Sequence, residues 1–168
     1  IQISNTGTSD TGIAYFYNAN GLVGNIRTSG SATSYLTSSD YRLKTAINYD
    51  WDATTRLKQL KPARFNFIAD ADTTVDGFLA HEVASIIPEA ISGTKDAVEV
   101  WTEPVLDADG NIIFGEALPD GVSVGDNKLD ADGNTIPVMQ GIDQAKIVPL
   151  LVKTIQELEA RITALEAG

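Results

Sequence analysis

The sequence predicts an α+β fold, and three observations support this. Short alternating runs of apolar and polar residues, separated by turn residues, occupy residues 1–38 and recur between residues 63 and 106. One short helical pattern precedes the later strands and a second interrupts them. The C-terminal segment has apolar residues at helical spacing from Val148 to Leu165, which predicts a helix over residues 143–167. We therefore expect a β-rich beginning, a mixed α/β middle and a long final helix.

The β-rich beginning contains three predicted strands, which are the runs GIAYFYN, GLVGNIRT and SATSYLT. The run Asn18–Gly21 is a turn signal between the first two strands. This segment has too little apolar material to fold alone, because an isolated hairpin is only marginally stable in water. Its polar, Gly- and Thr-rich composition suits a chain that stacks against copies of itself.

The middle of the chain alternates helices and strands. Asp52 is expected to cap a short helix that reaches Leu60, before Pro62 stops it. A second short helix, in the run HEVASIIPEAI, is expected to end near Pro88. The strands are predicted in the runs ARFNFIA, DGFLA and AVEVWTEPVL.

The sequence LDADGN occurs twice, at residues 106–111 and 129–134. A calcium loop of the EF-hand type needs its glycine at position six, whereas here the glycine follows the first aspartate by three residues. An Asp-Gly pair also favours a tight hairpin turn. We therefore prefer β-hairpins with acidic tips to a metal site, and predict a hairpin projection over residues 102–138.

The final helix carries a heptad stripe with spacings of 3, 4, 3, 4 and 3, formed by Val148, Leu151, Ile155, Leu158, Ile162 and Leu165. Pro149 is acceptable only near the helix start, where early N–H groups lack partners. The stripe indicates either a helix packed on its own domain or a coiled coil between copies, and its persistence to the terminus favours the coiled coil. β-branched residues at a with leucine at d would by rule favour a dimer.

Charge divides the chain at residue 39. Residues 1–39 contain one acid and one base, whereas residues 40–168 contain 22 acids and 11 bases and so carry the whole net charge of −11. An acidic surface repels phosphate backbones, so we expect no nucleic-acid partner. The sequence has no cysteine, no Gly-rich phosphate loop and no apolar run near the ~20 residues that span a bilayer. We therefore expect no cofactor, no metal and no membrane span.

A candidate catalytic group lies where the composition changes, in the run TSSDYRLKTA, which we call the seam (residues 37–46). A lysine can act as the general base for a serine when its amine is desolvated, which makes Ser39 and Lys44 a candidate pair. Arg42 could help to lower the pKa of the lysine or stabilise a developing oxyanion. The alternative is that Asp40 only caps a turn among common surface residues.

His81 is the single histidine, so a Ser-His-Asp site is possible in principle, although a lone histidine is more often structural. Glu82 beside it could orient a base or cap a helix. Neither residue receives a firm role from the sequence.

The order of the motifs resembles a known family more closely than any one motif does. SSDYRLKTAI is followed by RLKQLKPARFNF, by GFLAHEVASIIPEAISG and by IDQAKIVPLLVKTIQELEARITALE. This series closely resembles the C-terminal intramolecular chaperone and auto-processing domain of phage tail spikes and tail fibres, of the endosialidase type. The resemblance covers roughly residues 40–168, with residues 1–39 resembling the end of the fibre itself.

The resemblance implies an intertwined homotrimer that brings three fibre chains into register and then releases itself by autoproteolysis. It assigns Ser39 as the reactive serine, Lys44 as its lysine and Ser39–Asp40 as the cleaved bond. His81 and Glu82 fall within a motif of the family but take no firm role from it, so these two residues and Arg42 are kept as possible accessory residues. The precursor would assemble in the bacterial host cytoplasm, and the virion would keep the fibre. The trimer implied here differs from the dimer that the heptad rule favours.

The chemistry of such a cut stays open between two mechanisms. The Ser39 hydroxyl cannot attack its own carbonyl, because the ring would have four members. Either Ser39 and Lys44 position a water, or the Asp40 carboxylate attacks a neighbouring carbonyl. Attack on the carbonyl of Ser38 would instead cut before Ser39.

Two further functions remain as alternatives, a trimerisation module that does not cleave and a receptor-binding fibre tip that stays attached.

Overall fold

The structure is a computed structural model that describes residues 6–168, and the chain forms two compact units, Ile1–Asp50 and Trp51–Gly168. It is mixed α+β, as predicted, with several small sheets and a C-terminal helix. The first five residues of the predicted fibre end lie outside the described residues. The boundary between the units falls eleven residues after the change in charge composition at residue 39.

The first unit is a three-stranded antiparallel sheet in the order β1-β2-β3, with β1 at Thr11–Asn18, β2 at Gly21–Ser29 and β3 at Ala32–Thr37. The three predicted strands are confirmed. The predicted turn at Asn18–Gly21 is also confirmed, because Asn18 pairs with Gly21 and the Asn18 side chain accepts a 2.8 Å hydrogen bond from the Asn20 N–H. Gly21 has a φ of +90°, which favours glycine.

This sheet has no core of its own. None of the described residues 6–50 is buried, and the aromatic side chains Tyr15, Phe16, Tyr17 and Tyr35 are all exposed. Hydrogen bonds between strands therefore hold the unit together without much removal of apolar surface from water. The expectation that the N-terminal part needs partners stays a prediction.

The second unit begins with helix α1 at Ala53–Leu57, which Asp52 caps by accepting a 3.0 Å hydrogen bond from the Thr55 N–H. The remaining elements are β4 at Ala63–Phe67, β5 at Asp70–Gly77, α2 at Ala80–Ala84, β6 at Ile91–Ser92, β7 at Val105–Leu106, β8 at Ile112–Phe114, β9 at Gly141–Ile142 and α3 at Val148–Glu166. Three antiparallel pairs form, β4 with β5, β6 with β9 and β7 with β8.

Several boundaries differ from the prediction. Helix α2 ends at Ala84, before the expected end near Pro88, and the residue that precedes the proline, Ile87, is not helical. The final helix begins at Val148 and not at residue 143, because Gln144–Ile147 form a 3-10 turn. Helix α1 ends before Leu60, and β5 ends at Gly77, before the Phe78 and Leu79 of the run DGFLA. The run AVEVWTEPVL is not one strand, because Val98 and Val100 make isolated bridges and β7 is a separate short strand. Pro104 lies between these parts, and a proline has no N–H to donate to a ladder.

Both LDADGN repeats form compact acidic turns. The Asp107 carboxylate accepts backbone hydrogen bonds from Asp109 and Asn111, at 2.9 and 2.8 Å, and the first repeat joins β7 to β8 as an antiparallel hairpin. The second repeat makes the same pair of bonds, to the carboxylate of Asp130, and is closed by one bridge between Leu129 and Thr135. The predicted hairpin turn is thus observed at the first repeat.

The core of the second unit is small and gathers side chains from α1 and the residues just after it, from α2 and the segment after it, and from the start of α3 and the turn before it. Its buried members are Ala53, Leu60, Val83, Ile87, Ala90, Ile147 and Leu150. Helix α3 packs on α1 through one face, which carries the buried Leu150 and Thr154. The described residues contain no helix whose length and apolar character would suit it to cross a bilayer.

The heptad stripe runs beside the packed face of α3, since the helix turns about 100° per residue and Leu151 directly follows Leu150. Leu150 and Thr154 are 3% exposed, whereas every member of the stripe is at least 42% exposed, and these are Val148, Leu151, Ile155, Leu158, Ile162 and Leu165. The helix therefore does pack on its own domain, but it does so through residues outside the stripe. The stripe itself remains an uncovered apolar surface in the single chain.

Candidate active site at Ser39 and Lys44

The two serines that follow β3, Ser38 and Ser39, have different hydrogen-bond partners. The Ser38 hydroxyl donates a 2.8 Å hydrogen bond to the Leu22 carbonyl, and the Ser38 N–H donates a 3.0 Å bond to the Val23 carbonyl. Ser38 is therefore fixed to the backbone of β2. Ser39 follows immediately, and its hydroxyl has a different partner.

That partner is Lys44, whose Nζ donates a 2.8 Å hydrogen bond to the Ser39 Oγ. A short 3-10 turn at Tyr41–Leu43 brings the two residues together. The Lys44 N–H donates a 3.1 Å bond to the Tyr41 carbonyl and so ends the turn. The predicted pair is thus within hydrogen-bond distance in a single chain, which is the geometry that a nucleophile or water-positioning serine requires of its base.

Asp40 begins this turn. Its carboxylate accepts hydrogen bonds from the Arg42 N–H, Nε and Nη2, each at 2.9 Å. The Arg42 side chain, then its N–H, holds the pKa of Asp40 below the ordinary value, and Asp40 raises the pKa of Arg42. Asp40 therefore does cap a turn, as the simpler interpretation held, and it does so next to the Ser39–Lys44 pair.

The seam is open to solvent. Ser39, Asp40, Arg42 and Lys44 are all exposed, so water and salt screen the charges between them. The apolar side chains of the following stretch are exposed as well, namely Tyr41, Leu43, Ile47 and Tyr49. None of residues 6–168 shields the amine of Lys44 from water, and a general base at neutral pH needs such shielding.

The comparison with known families identifies the segment that starts at this serine. Residues 39–92 match the family Peptidase_S74, described as the chaperone of endosialidase. The matched segment begins at Ser39 and includes the seam, α1, the β4–β5 hairpin and α2. No curated protein matches the chain. The predicted resemblance to an endosialidase-type chaperone is therefore confirmed over this segment.

The family's description indicates an intramolecular chaperone role, and its name indicates a self-cleaving domain of the serine-peptidase type. The match covers 39–92, and the C-terminal helix and the acidic repeats lie beyond it. The geometry of Ser39 and Lys44 is an observation of the structure, independent of the family match.

His81 and Glu82 also fall within the segment that matches the chaperone family, and both lie on α2 in the second unit. The Glu82 carboxylate accepts a 3.2 Å hydrogen bond from the Lys61 Nζ. His81 is exposed and lines a largely apolar cavity of about 550 Å³, whose other walls include Phe65, Phe67, Phe78 and Ile142. These contacts give Glu82 a structural partner and place His81 in the lining of an apolar pocket.

The sequence did not predict the pairing of Asp40 with Arg42, although opposite charges two residues apart at a turn are a usable signal. It also did not predict the hydrogen bond that the Glu157 carboxylate of α3 accepts from the Thr54 hydroxyl of α1, because more than 100 residues separate the two. Within residues 6–168, no group of three or more His, Asp or Glu side chains is placed to hold a metal ion.

Proposed function

We propose that the chain is the C-terminal end of a phage tail fibre or tail spike, in which residues 40–168 assemble three chains and then separate from residues 1–39 by autoproteolysis. The observation that carries the proposal is the 2.8 Å hydrogen bond between the Lys44 Nζ and the Ser39 Oγ at the start of the matched segment. A serine and a lysine at this distance can activate water or an oxygen nucleophile.

In the mechanism that we favour, the reaction is a hydrolysis of the Ser39–Asp40 peptide bond. A water held by the Ser39 hydroxyl adds its oxygen to the Ser39 carbonyl carbon, and its proton passes to the neutral amine of Lys44. The C–N bond then breaks, and the lysine returns the proton to the departing α-amine of Asp40. The products are a carboxylate at Ser39 and an amino terminus at Asp40.

The competing mechanism uses the Asp40 carboxylate, which can reach the Ser39 carbonyl through a six-membered ring. It would form an anhydride between the two residues that water then opens, at the same bond. Attack by the Ser39 hydroxyl on the Ser38 carbonyl would give a different product, since the released domain would begin at Ser39. The first residue of the released domain therefore separates that last mechanism from the other two.

Assembly is expected to precede the cut. The pair and the apolar side chains around it are exposed in the single chain, and burial disfavours the charged form of an amine. Chains that cover the seam would therefore favour the neutral form of the Lys44 amine, which a base requires. This order of events also ensures that the chaperone segment, residues 40–168, leaves only after the fibre ends are aligned.

Two surfaces support self-association. The heptad stripe of α3 is an exposed apolar strip that suits a parallel coiled coil, and the β-sheet of the first unit has no buried residue. An exposed apolar stripe of this length is more typical of an interface than of a free surface. We propose three copies because the resemblance implies a trimer, although the a/d rule favours a dimer.

The benefit to the fibre is kinetic. Intertwined β-structures fold slowly because their long loops must close before contacts form. A terminal domain that trimerises first holds the three upstream segments at a high effective concentration. Removal of the helper afterwards takes away the route back to separate chains, so the mature fibre is kinetically stable.

The test is the intact mass of freshly expressed protein under denaturing conditions, with the native mass measured beside it. We expect fragments 1–39 and 40–168, with the larger fragment beginning at Asp40. Ser39→Ala and Lys44→Ala should each leave the full chain of 17.9 kDa. Ser38→Ala is the matched control, because the Ser38 hydroxyl is bound to β2, and it should still be cut.

The alternatives predict different results. A trimerisation module that does not cleave would give one full-length species with the native mass of three chains. A receptor-binding fibre tip would still be attached to the mature virion fibre as residues 40–168. Three copies together with cleavage that depends on Ser39 and Lys44 would exclude both.

A further inference from the structure

The Asp40 carboxylate is the nucleophile of the competing mechanism, and both of its oxygens already accept hydrogen bonds. The Arg42 N–H and Nε share the Oδ1 of Asp40, and the Arg42 Nη2 bonds to the Oδ2, all at 2.9 Å. Both oxygens therefore have donors from one residue, in the two-pronged geometry that is characteristic of arginine and carboxylate. We call this contact the Asp40–Arg42 clamp.

The clamp also sets the path of the chain between Ser39 and Lys44. An extended chain of five residues spans about 17 Å, which is too far for the lysine side chain to return to the serine. Here the Leu43 N–H donates a 3.1 Å bond to the Asp40 carbonyl, and the chain turns back. The carboxylate of Asp40 caps the same turn, so the clamp and the Ser39–Lys44 contact belong to one local structure.

The guanidinium of Arg42 therefore binds Asp40, the residue whose amine leaves when the Ser39–Asp40 bond is cut. Its Nε and Nη2 both face a carboxylate. A guanidinium neutralised in this way has a weak electrostatic effect on its surroundings, because the pair carries no net charge. Its strongest contribution is geometric, since it holds the residue that follows the proposed cut.

We propose that Arg42 is a positioning residue for the self-cleavage: through the Asp40–Arg42 clamp it holds the turn that presents Lys44 to Ser39, and it keeps the Asp40 carboxylate from acting as the nucleophile. This inference rests on the proposed function and deepens it. It assigns Asp40 a structural role in the cut and leaves water as the attacking group.

The test compares the cleavage rates of full-length chains carrying Arg42→Ala, Arg42→Lys, Asp40→Asn and the double change R42A/D40N. Arg42→Ala should slow cleavage by about 10-fold to 100-fold, which is the usual cost of a misplaced catalytic group. Arg42→Lys should recover part of the rate, since lysine donates to a carboxylate without the two-pronged geometry. Circular dichroism and native mass would establish that each variant folds and assembles.

Asp40→Asn distinguishes the two roles of the carboxylate. Asparagine caps helical turns as well as aspartate does but is not a carboxylate nucleophile. If Asp40 holds the turn, Asp40→Asn should still cleave, and adding Arg42→Ala to it should slow the reaction by no more than about twofold, since the two residues act through one contact. Arg64 and Asp76 form a matched control, an exposed pair with bonds of 2.7 and 3.1 Å in the β4–β5 hairpin, and Arg64→Ala should leave the rate unchanged.

Three results would overturn the proposal while the wild-type chain still cuts itself. One is an assembled Asp40→Asn chain that is as inert as Ser39→Ala, which would make the carboxylate the nucleophile. Another is Arg42→Ala cleaving at the wild-type rate. The third is an Arg42→Ala effect that persists in full in the Asp40→Asn background. A wild-type chain that assembles and stays uncut would instead refute the proposed autoproteolysis, and the positioning role with it.

Discussion

The carboxylate of Glu157, in the C-terminal helix, accepts a 2.6 Å hydrogen bond from the Thr54 hydroxyl at the first turn of α1. It also accepts backbone hydrogen bonds from the N–H groups of Ala53 and Thr54, at 2.9 and 2.8 Å. Helix α1 has five residues, which is too short to be stable by itself. One side chain of α3 thus accepts hydrogen bonds from the donors at the N-terminus of α1.

We therefore expect Glu157→Gln to lower the thermal midpoint of the chain by a few degrees. The Thr54 hydroxyl, and then the Ala53 N–H, lower the pKa of Glu157 from the ordinary 4.5. A carboxyl with a lowered pKa stabilises the fold above its unfolded pKa and loses that contribution as the pH falls through its folded pKa. The difference between wild type and variant should be complete above about pH 5 and should shrink in more acidic solution.

Glu159→Gln is the control for this experiment, because Glu159 is an exposed residue of the same helix. Thermal unfolding followed by circular dichroism between pH 3 and pH 7 would measure both variants. An equal loss for Glu157→Gln and Glu159→Gln at neutral pH would show that the contact with α1 contributes nothing to stability.

The two faces of α3 should respond differently to truncation. Leu150 is 3% exposed in the core, so Leu150→Ala should reduce the free energy of unfolding by about 2–5 kcal/mol. Leu158, on the heptad stripe, is 42% exposed, so Leu158→Ala should cost the isolated chain much less and should weaken self-association instead. Urea unfolding and sedimentation equilibrium of both variants would check this. A Leu158 variant that assembles as tightly as the wild type would argue against the stripe as the interface.

Preventing assembly should prevent the cut. Ile155 lies on the stripe and is 65% exposed, so Ile155→Asp places a charge in the expected interface without disturbing the core of the single chain. We expect this chain to be monomeric and to cleave at least about 10-fold more slowly, because its lysine stays in water. Gln156→Asp, at the exposed neighbouring position outside the stripe, should assemble and cleave normally. Cleavage of monomeric Ile155→Asp at the wild-type rate would contradict the order of assembly before scission.

The acidic repeats should be insensitive to calcium. The carboxylates of Asp107 and Asp130 already accept bonds from the backbone and from the Asn111 and Asn134 side chains, and these bonds hold the pKa of each aspartate below its ordinary value. Adding about 1 mM calcium, which would load a weak extracellular site, should leave the thermal midpoint unchanged. A midpoint that rises with calcium but not with magnesium would restore the metal interpretation.

Local patterns allowed the sequence to predict much of this fold. The strands of the first unit, the Asp52 cap and the final helix depend on neighbours in the chain. The cap that Asp40 makes on the turn between Ser39 and Lys44 is local in the same way. The heptad stripe was likewise legible, since its members repeat at fixed spacing. The failures, such as the run before Pro104, lie where pairing with distant segments decides whether a strand forms.

Alone, the sequence determined which residues are chemically able to act, where the composition changes and which helix positions are apolar, because each of these follows from identity and spacing. Only the tertiary structure decided that Ser38 is tied to β2 while Ser39 meets the lysine, that Asp40 is held by Arg42, and that Glu157 caps α1. These are matters of distance and direction between groups. A linear pattern does not specify them, because many chain paths satisfy the same spacing.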